Sequence, residues 1–374
     1  MIVSGEPVRI GAVDDPDYAF SAVSELAVGP DGSVYTTHFQ EAQVRRWTPD
    51  GLPAGTVGRE GEGPGEFVSP RTLGFFGDSL WVMDFRTYRA SFFSAATGEF
   101  LGSSSPRVDL GGAADPQQSP PRPNQPLRDG SWYARTPGWS DAIARGELTR
   151  GQHQRVDESG APTATVWVQE WSKTDIWALL DEEGGGAFMP QPFGDEPLLH
   201  VYEDGGMLIV DRRAYDGEGV AVFRLTRVST TGDTLSRIAV PFEPQALPRA
   251  YADSTLDAQA TSMHEFRERF RPGSSSLGAT RQGLAETFYR PRYLPAVKAA
   301  VVARNGDVWL RRHLLEPDRS GWWVFDPEGS MRATADLPAE LTVKAVAGDR
   351  VWGVETDHLD VPYIVGYRLV RSEN

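Results

Sequence analysis

Short apolar runs recur along the chain, each stopped by a tight-turn dipeptide and followed by a second run carrying a large or aromatic residue. Glu25-Leu26-Ala27-Val28 runs into Asp31-Gly32 and then Val34-Tyr35, and Leu73-Gly74-Phe75-Phe76 leads through Gly77-Asp78 to Leu80-Trp81. Asp129-Gly130 precedes Trp132-Tyr133, and His200-Val201-Tyr202 leads through Asp204-Gly205 to Met207-Leu208-Ile209-Val210. Ala300-Val301-Val302 passes Asn305-Gly306 to Val308-Trp309-Leu310, and Lys344-Ala345-Val346 passes Gly348-Asp349 to Val351-Trp352. Asp-Gly and Asn-Gly between apolar runs signal a hairpin, because its tight turn needs positive φ. A second turn follows at Thr48–Gly51, Ala95–Gly98, Asp157–Gly160, Thr230–Asp233 and Asp326–Gly329, so each unit reads as a four-stranded antiparallel meander.

The repeats predict an all-β chain: a single six-bladed β-propeller over residues 1–374, with blades at about 20–58, 70–103, 126–170, 198–242, 296–337 and 341–370. The sixth unit stops at its third strand, Tyr367–Val370, while Val8–Gly11 precedes the first unit without a partner. A strand over 7–12 is therefore expected to complete the sixth blade and close the ring.

Residues beyond the blades fall between them, at Gly58–Pro70, Ser103–Pro126, Glu170–Leu199 and Phe242–Pro295. Blade-to-blade loops and second-to-third-strand loops open on one face of such a ring, so the insertions crowd one face, the natural binding face. The segment 243–295 is a helical insertion between blades 4 and 5. Asp253 or Ser254 is the candidate cap, with Leu256, Ala260, Met263, Phe266 and Phe270 on one face of the helix. A second helix is expected from about Ala279 to Tyr289, with Leu284 and Phe288 inward. Ser103–Pro126, rich in Ser, Pro and Gly, reads as poorly ordered. Trp171 and Trp177 in the Glu170–Leu199 loop are either anchors for it or contacts for a ligand or partner.

The same face receives the ends of the second strands. These bring His38; Asp84 and Arg86; Arg135; Asp211, Arg212 and Arg213; Arg311, Arg312 and His313; and Glu355, Asp357 and His358. Arg135, Arg212, Arg213 and Arg312 are the candidate ligand- or partner-binding cations, suited to a carboxylate, a phosphate or an acidic patch. Solvated, locally paired charges are the alternative. His38, His313 and His358 occupy comparable points in neighbouring blades and are the candidate ligands of a divalent metal, the one cofactor considered.

Composition narrows the chemistry. The 374 residues are 40% hydrophobic, enough for a core, and carry a net charge of −15, which disfavours duplex nucleic acid as a partner. There is no cysteine, which removes disulfides and thiol chemistry, and no apolar run of membrane-spanning length. Lys173, Lys298 and Lys344 are the only lysines; every other basic residue is arginine. Gly61-x-Gly63-x-Gly65 lacks the Lys-Ser/Thr and helix of a phosphate loop, and His264–Glu268 has Glu268 where a zinc helix needs histidine. Asp14–Asp17 lacks calcium-loop spacing, and no Gly-x-Ser-x-Gly elbow is present.

Gly61-Glu62-Gly63-Pro64-Gly65-Glu66-Phe67, Pro70, Leu80-Trp81-Val82-Met83-Asp84 and Arg89–Phe93 resemble an NHL-type repeat. Asn305–Trp309 and Val324–Gly329 are similar to six-bladed propeller lipoproteins of bacterial envelopes. The resemblance implies an exported propeller and no particular reaction. Two functions are carried forward. One is a non-catalytic binding or scaffold propeller of the cell envelope, periplasmic or extracellular, whose loop-rich face takes a protein partner such as a membrane-anchored complex. The other is a lyase or hydrolase acting on a small molecule at the channel mouth. The N-terminus shows no secretory signal, which leaves a cytoplasmic module as the alternative compartment.

Overall fold

The computed structural model describes residues 1–12, 15, 18–20, 22–107, 120–136, 141–180, 186–213, 215–270, 273, 275–315, 318 and 320–371. Half of Ser103–Pro126 (108–119) and most of Asp14–Asp17 lie outside these residues, as does the side chain of Phe270.

The chain is all-β apart from its helices. Four antiparallel sheets of four strands follow one another in sequence. The first holds Glu25–Val28, Val34–His38, Gln43–Trp47 and Pro53–Val57. The second holds Pro70–Phe76, Ser79–Asp84, Arg89–Ser94 and Phe100–Ser104. The third holds Arg122–Pro126, Trp132–Arg135, Thr149–Val156 and Pro162–Trp171. The fourth holds Leu198–Val201, Met207–Asp211, Val222–Val228 and Thr234–Pro241. An eight-stranded sheet then joins the meander Val297–Leu337 to Ile2–Ile10 and to the strands of Thr342–Val370. Gly32 and Gly306 sit at φ of 82° and 87° in the first turns of their meanders, a conformation that penalises any side chain.

Burial explains why strand alternation is weak in the sequence. Every residue of Val34–His38 is buried, because neighbouring sheets cover both faces. The fourth strand of a meander, such as Thr234–Pro241, lies outside and alternates between exposed and half-buried positions. Apolar clusters fill each gap between successive sheets. Tyr35 and Leu80 join the first and second sheets, Met83 and Trp132 the second and third, and Tyr133 and Ile209 the third and fourth. Phe223 and Leu310 join the fourth sheet to the eight-stranded one, whose halves meet at Trp322 and Val351. Trp352 and Ile10 then meet Val34 and Trp47, returning the succession to the first sheet. Each such fully buried side chain contributes about 1.5–3 kcal/mol.

The N-terminal strand is longer than the expected 7–12 and runs Ile2–Ile10. It pairs antiparallel with Pro362–Val370 from Ile2↔Val370 to Ile10↔Ile364, and touches Met331–Leu337 through one parallel pair, Ile2↔Asp336.

Helix α1 is a single turn, Asp141–Ala144. Helix α2 runs Arg249–Phe270, starting four residues before the cap expected at Asp253. Pro248 sets the start, and its carbonyl accepts the Ala252 N–H at 3.0 Å. Asp253 instead pairs with Arg290 at 2.9 Å. Ala252, Leu256 and Ala260 form the buried stripe, while Phe266 is 60% exposed, contrary to its expected inward position. Helix α3, Leu277–Thr287, is capped by Ser276, whose Oγ accepts the Ala279 N–H at 3.2 Å, and it buries Leu284. Among the described residues no helix is long and apolar enough to cross a membrane.

Candidate functional site

The second strands end as the turn chemistry dictates, but their polar residues have unequal fates. Asp84 is buried, and its carboxylate accepts the N–H groups of Val68, Ser69, Arg86 and Thr87 at 2.6, 2.8, 2.8 and 3.1 Å. Burial pushes this carboxyl up, and the four N–H groups more than reverse that, so it lies below the usual carboxylate range. The aspartate of the repeat-like motif is therefore a clasp for the loop before its own sheet. Asp357 clasps a turn in the same manner, accepting from Leu359 and Val361 N–H at 2.8 and 3.0 Å. His358 in that turn is exposed.

His38 is fully buried, its Nε2 2.8 Å from Thr36 Oγ1, and burial with the Arg45 charge lowers its pKa to about 4. His313 is lowered to about 3 by burial and then by Lys298, Arg212 and Arg311. The structure does not gather His38, His313 and His358 into a metal site: among the described residues no three His, Asp or Glu side chains form a ligand group. Sequence spacing placed them at similar heights on their sheets, but two point into the packing between sheets and one into solvent.

Trp171 and Trp177 are anchors, not surface contacts. Trp171 is 4% exposed, with its Nε1 donating to Glu196 Oε1 at 2.9 Å. Trp177 is fully buried under the helices, donating to Leu284 O and Thr287 Oγ1 at 3.2 and 2.9 Å and lying 5.3 Å from the Phe288 ring. The loop around them folds into a small hairpin, Ile176–Leu180 with Gly186–Pro190.

The four candidate arginines do not converge on one point. Arg212 is a strut: its Nε donates to Glu196 O at 2.6 Å and its Nη1 to Val297 O at 3.2 Å, tying the fourth sheet to the next. Burial lowers its pKa, opposed by Glu196, Asp195 and Asp175. Arg312 lies over the Trp323 ring at 5.1 Å, in a cavity of about 310 Å³ shared with Phe242, Gln245 and His313. Arg135 is exposed at the end of its strand. Arg213 is exposed and opens into a larger recess.

That recess, about 740 Å³, runs along the seam between the third and fourth sheets. Trp167, Val168, Pro197, Ile209 and Val228 supply its apolar lining; Arg150, Arg213, Arg224 and Arg237 and the carboxylates of Glu170, Asp195 and Asp211 supply its charge. Arg150 pairs with Glu170 at 2.7 Å and Arg224 with Asp211 at 3.9 Å, and among the described residues the side chains of Arg213 and Arg237 have no ion pair.

No family model matches the chain, and no curated protein matches it. Among solved structures it is similar to a putative exported protein from Bacteroides fragilis, at 11% identity over 98% of this chain and 95% of that one, with a TM-score of 0.48. It is also similar to a member of the duf4221 family from Bacteroides vulgatus, at 10% identity over 98% and 96%, with a TM-score of 0.46. A virginiamycin B lyase from Staphylococcus aureus is similar at 10% identity over 98% and 99%, with a TM-score of 0.41. No activity passes from these proteins to this chain at such values.

The seam can hold an extended ligand that presents carboxylates to Arg213 and Arg237 and apolar groups to Trp167 and Val168, the latter 44% exposed. Sequence reasoning found Arg213 and missed Arg150, Trp167, Arg224 and Arg237. The available signal was strand parity: Arg224 is exposed between buried Phe223 and Leu225.

Proposed function

We propose that the chain is an NHL-like six-bladed propeller that works as a binding module of the cell envelope, taking a protein partner through the face that carries the insertions. The count of six takes the eight-stranded sheet as two meanders, at about 296–337 and 341–370, linked in the ladder through the N-terminal strand at Ile2↔Asp336; the apolar clusters between successive sheets support that count. The helical insertion is 243–295, with blades one to four at about 20–58, 70–103, 126–170 and 198–242. The periplasmic or extracellular location rests on the resemblance of residues 305–329 to envelope lipoproteins.

The observation that carries the binding reading is the seam between the third and fourth sheets, where Arg213 and Arg237, which form no ion pair among the described residues, lie beside exposed apolar surface. The occupant that fits is an extended acidic segment of a protein partner. Catalysis by a lyase or hydrolase asks for an acid–base pair poised near neutrality. His38, His153 and His313 are instead buried with lowered pKa values, and His153 is held between Tyr133 Oη at 2.6 Å and Gln169 Oε1 at 3.1 Å. The test is quantitative affinity capture from detergent-solubilised envelope with the native chain and with R213E/R237E. A stoichiometric partner retained by the native chain and lost by the variant supports the reading; equal recovery by both overturns it.

A further inference from the structure

The first strands of four meanders share one irregularity. In each, a single residue is inserted into the ladder to the second strand: Arg71 between Pro70 and Thr72, Asn124 between Pro123 and Gln125, Lys298 between Val297 and Ala299, and Lys344 between Val343 and Ala345. A bulge re-aims the extra side chain away from the alternating pattern. All four are long or polar, and two are among the three lysines of a chain whose other basic residues are arginine.

Three of the four side chains are occupied or uncharged. Arg71 lies 4.0 Å over the Phe39 ring, and Lys344 donates to Ser24 O at 3.3 Å beside Glu25 at 3.8 Å. Asn124 carries no charge. Lys298 is exposed and, among the described residues, has neither a hydrogen bond nor an ion pair.

The surroundings of Lys298 add positive charge. Arg311 is paired across the strand with Ala299, next to it, and gives one N–H to Ala339 O at 3.0 Å, with no ion pair among the described residues. The Arg212 guanidinium holds Val297 O at 3.2 Å, on the other side of Lys298. Burial lowers the Lys298 and Arg311 pKa values, and the Arg311 charge lowers that of Lys298 further. Phe193 links this strand end to the helical insertion, its ring centroid 6.1 Å from His313 and 5.9 Å from Tyr251 of α2. Lys298 and Arg311 both act on the His313 ring, so their charges lie close together, and among the described residues neither has a carboxylate partner; such a pair is complementary to an anion.

We propose that Lys298 and Arg311, on the first two strands of the meander that follows the helical insertion, form an oxyanion site taking the phosphate or carboxylate group of a small ligand. Lys298 supplies a mobile ammonium and Arg311 a planar fork with N–H groups to spare, while Arg212, balanced by its own carboxylate neighbours, fixes the strand between them through Val297 O.

The test is titration calorimetry of the full chain at constant ionic strength, with inorganic phosphate and with succinate as separate probes. Saturable heat with at least one probe is expected, weakened tenfold or more in K298Q and in R311Q, and unchanged in R59Q, whose exposed side chain pairs with Glu66 outside both recesses. Phosphate alone binding identifies a phosphate ligand, succinate alone a carboxylate, and both the shared oxyanion chemistry. Removing Lys298 also relieves its repulsion with Arg311, so K298Q is expected to unfold at a higher temperature than the native chain in anion-poor buffer and to lose the phosphate-dependent rise. Absence of saturable heat with both probes, or unchanged affinity in K298Q, overturns the site.

Discussion

Ile2 stands opposite Val370 in the antiparallel ladder that joins the two ends of the chain. The ladder continues to Ile10, which is fully buried against Trp47, Trp352 and Ile364. Ring closure is thus a packing event as well as a backbone one. Ile10→Ala removes core volume where the last sheet meets the first, and is expected to cost about 2–5 kcal/mol. Urea unfolding of the variant measures this directly; a loss below about 1 kcal/mol would show that the closure carries little of the stability.

Asp84 organises its turn through four N–H donors, so truncation leaves several buried donors without partners. Asp84→Ala is expected to lose about 3 kcal/mol or more. The sign of its pH dependence follows from its lowered folded pKa: the stabilisation is present above the unfolded carboxyl value and disappears as pH falls through the folded one. Comparing native and D84A unfolding midpoints at pH 7 and pH 2.5 should show the gap closing in acid. A gap of constant size would argue against a charged clasp.

The buried histidines set a second acid window at higher pH. His38 and His153 lie at about 4 and His313 at about 3. Their folded values are below the unfolded one of about 6.5, so the folded form binds fewer protons and stability falls as pH drops below 6.5. Each contributes a loss of about 2 kcal/mol by pH 5. Denaturant midpoints measured from pH 7.5 to 5 should therefore decline well before carboxylates titrate, and a flat profile over that range would contradict the burial described.

Trp177 pins the helical insertion to the fold through Leu284, Thr287 and Phe288. Trp177→Ala is expected to cost about 3–5 kcal/mol of local stability. Limited proteolysis should then cut within 249–287 while the sheets stay protected. Uniform protection would mean that the insertion is held chiefly by other contacts.

The fold was legible where turn chemistry is local. Asp31-Gly32 and Asn305-Gly306 announce hairpins because their backbone needs are short-range. The site was far less legible. For Trp171 and Trp177 the sequence leaves loop anchor and ligand contact both open, and the tertiary packing of Leu284 and Glu196 around them decides for anchors. The start of α2 was misplaced because Asp253 resembles a cap, whereas Pro248 sets the boundary and Arg290 claims the carboxylate. Lys298 escaped notice for a different reason: a bulge shifts register by one residue, and no local pattern marks where Val297 and Ala299 stop alternating. Comparable heights of His38, His313 and His358 on their sheets carried no information about direction, which the packing of each sheet decides.

The central claim, that the seam between the third and fourth sheets receives a protein partner, is tested most directly by site-specific photo-crosslinking in the native envelope. A photoreactive side chain replaces Val168 at the seam, and, as the control, Leu52 on the first sheet, which is 60% exposed. The account predicts one discrete protein adduct from position 168 that disappears when Arg213 and Arg237 are reversed in charge, and none from position 52. Adducts of equal yield from both positions, or none from position 168, would contradict it.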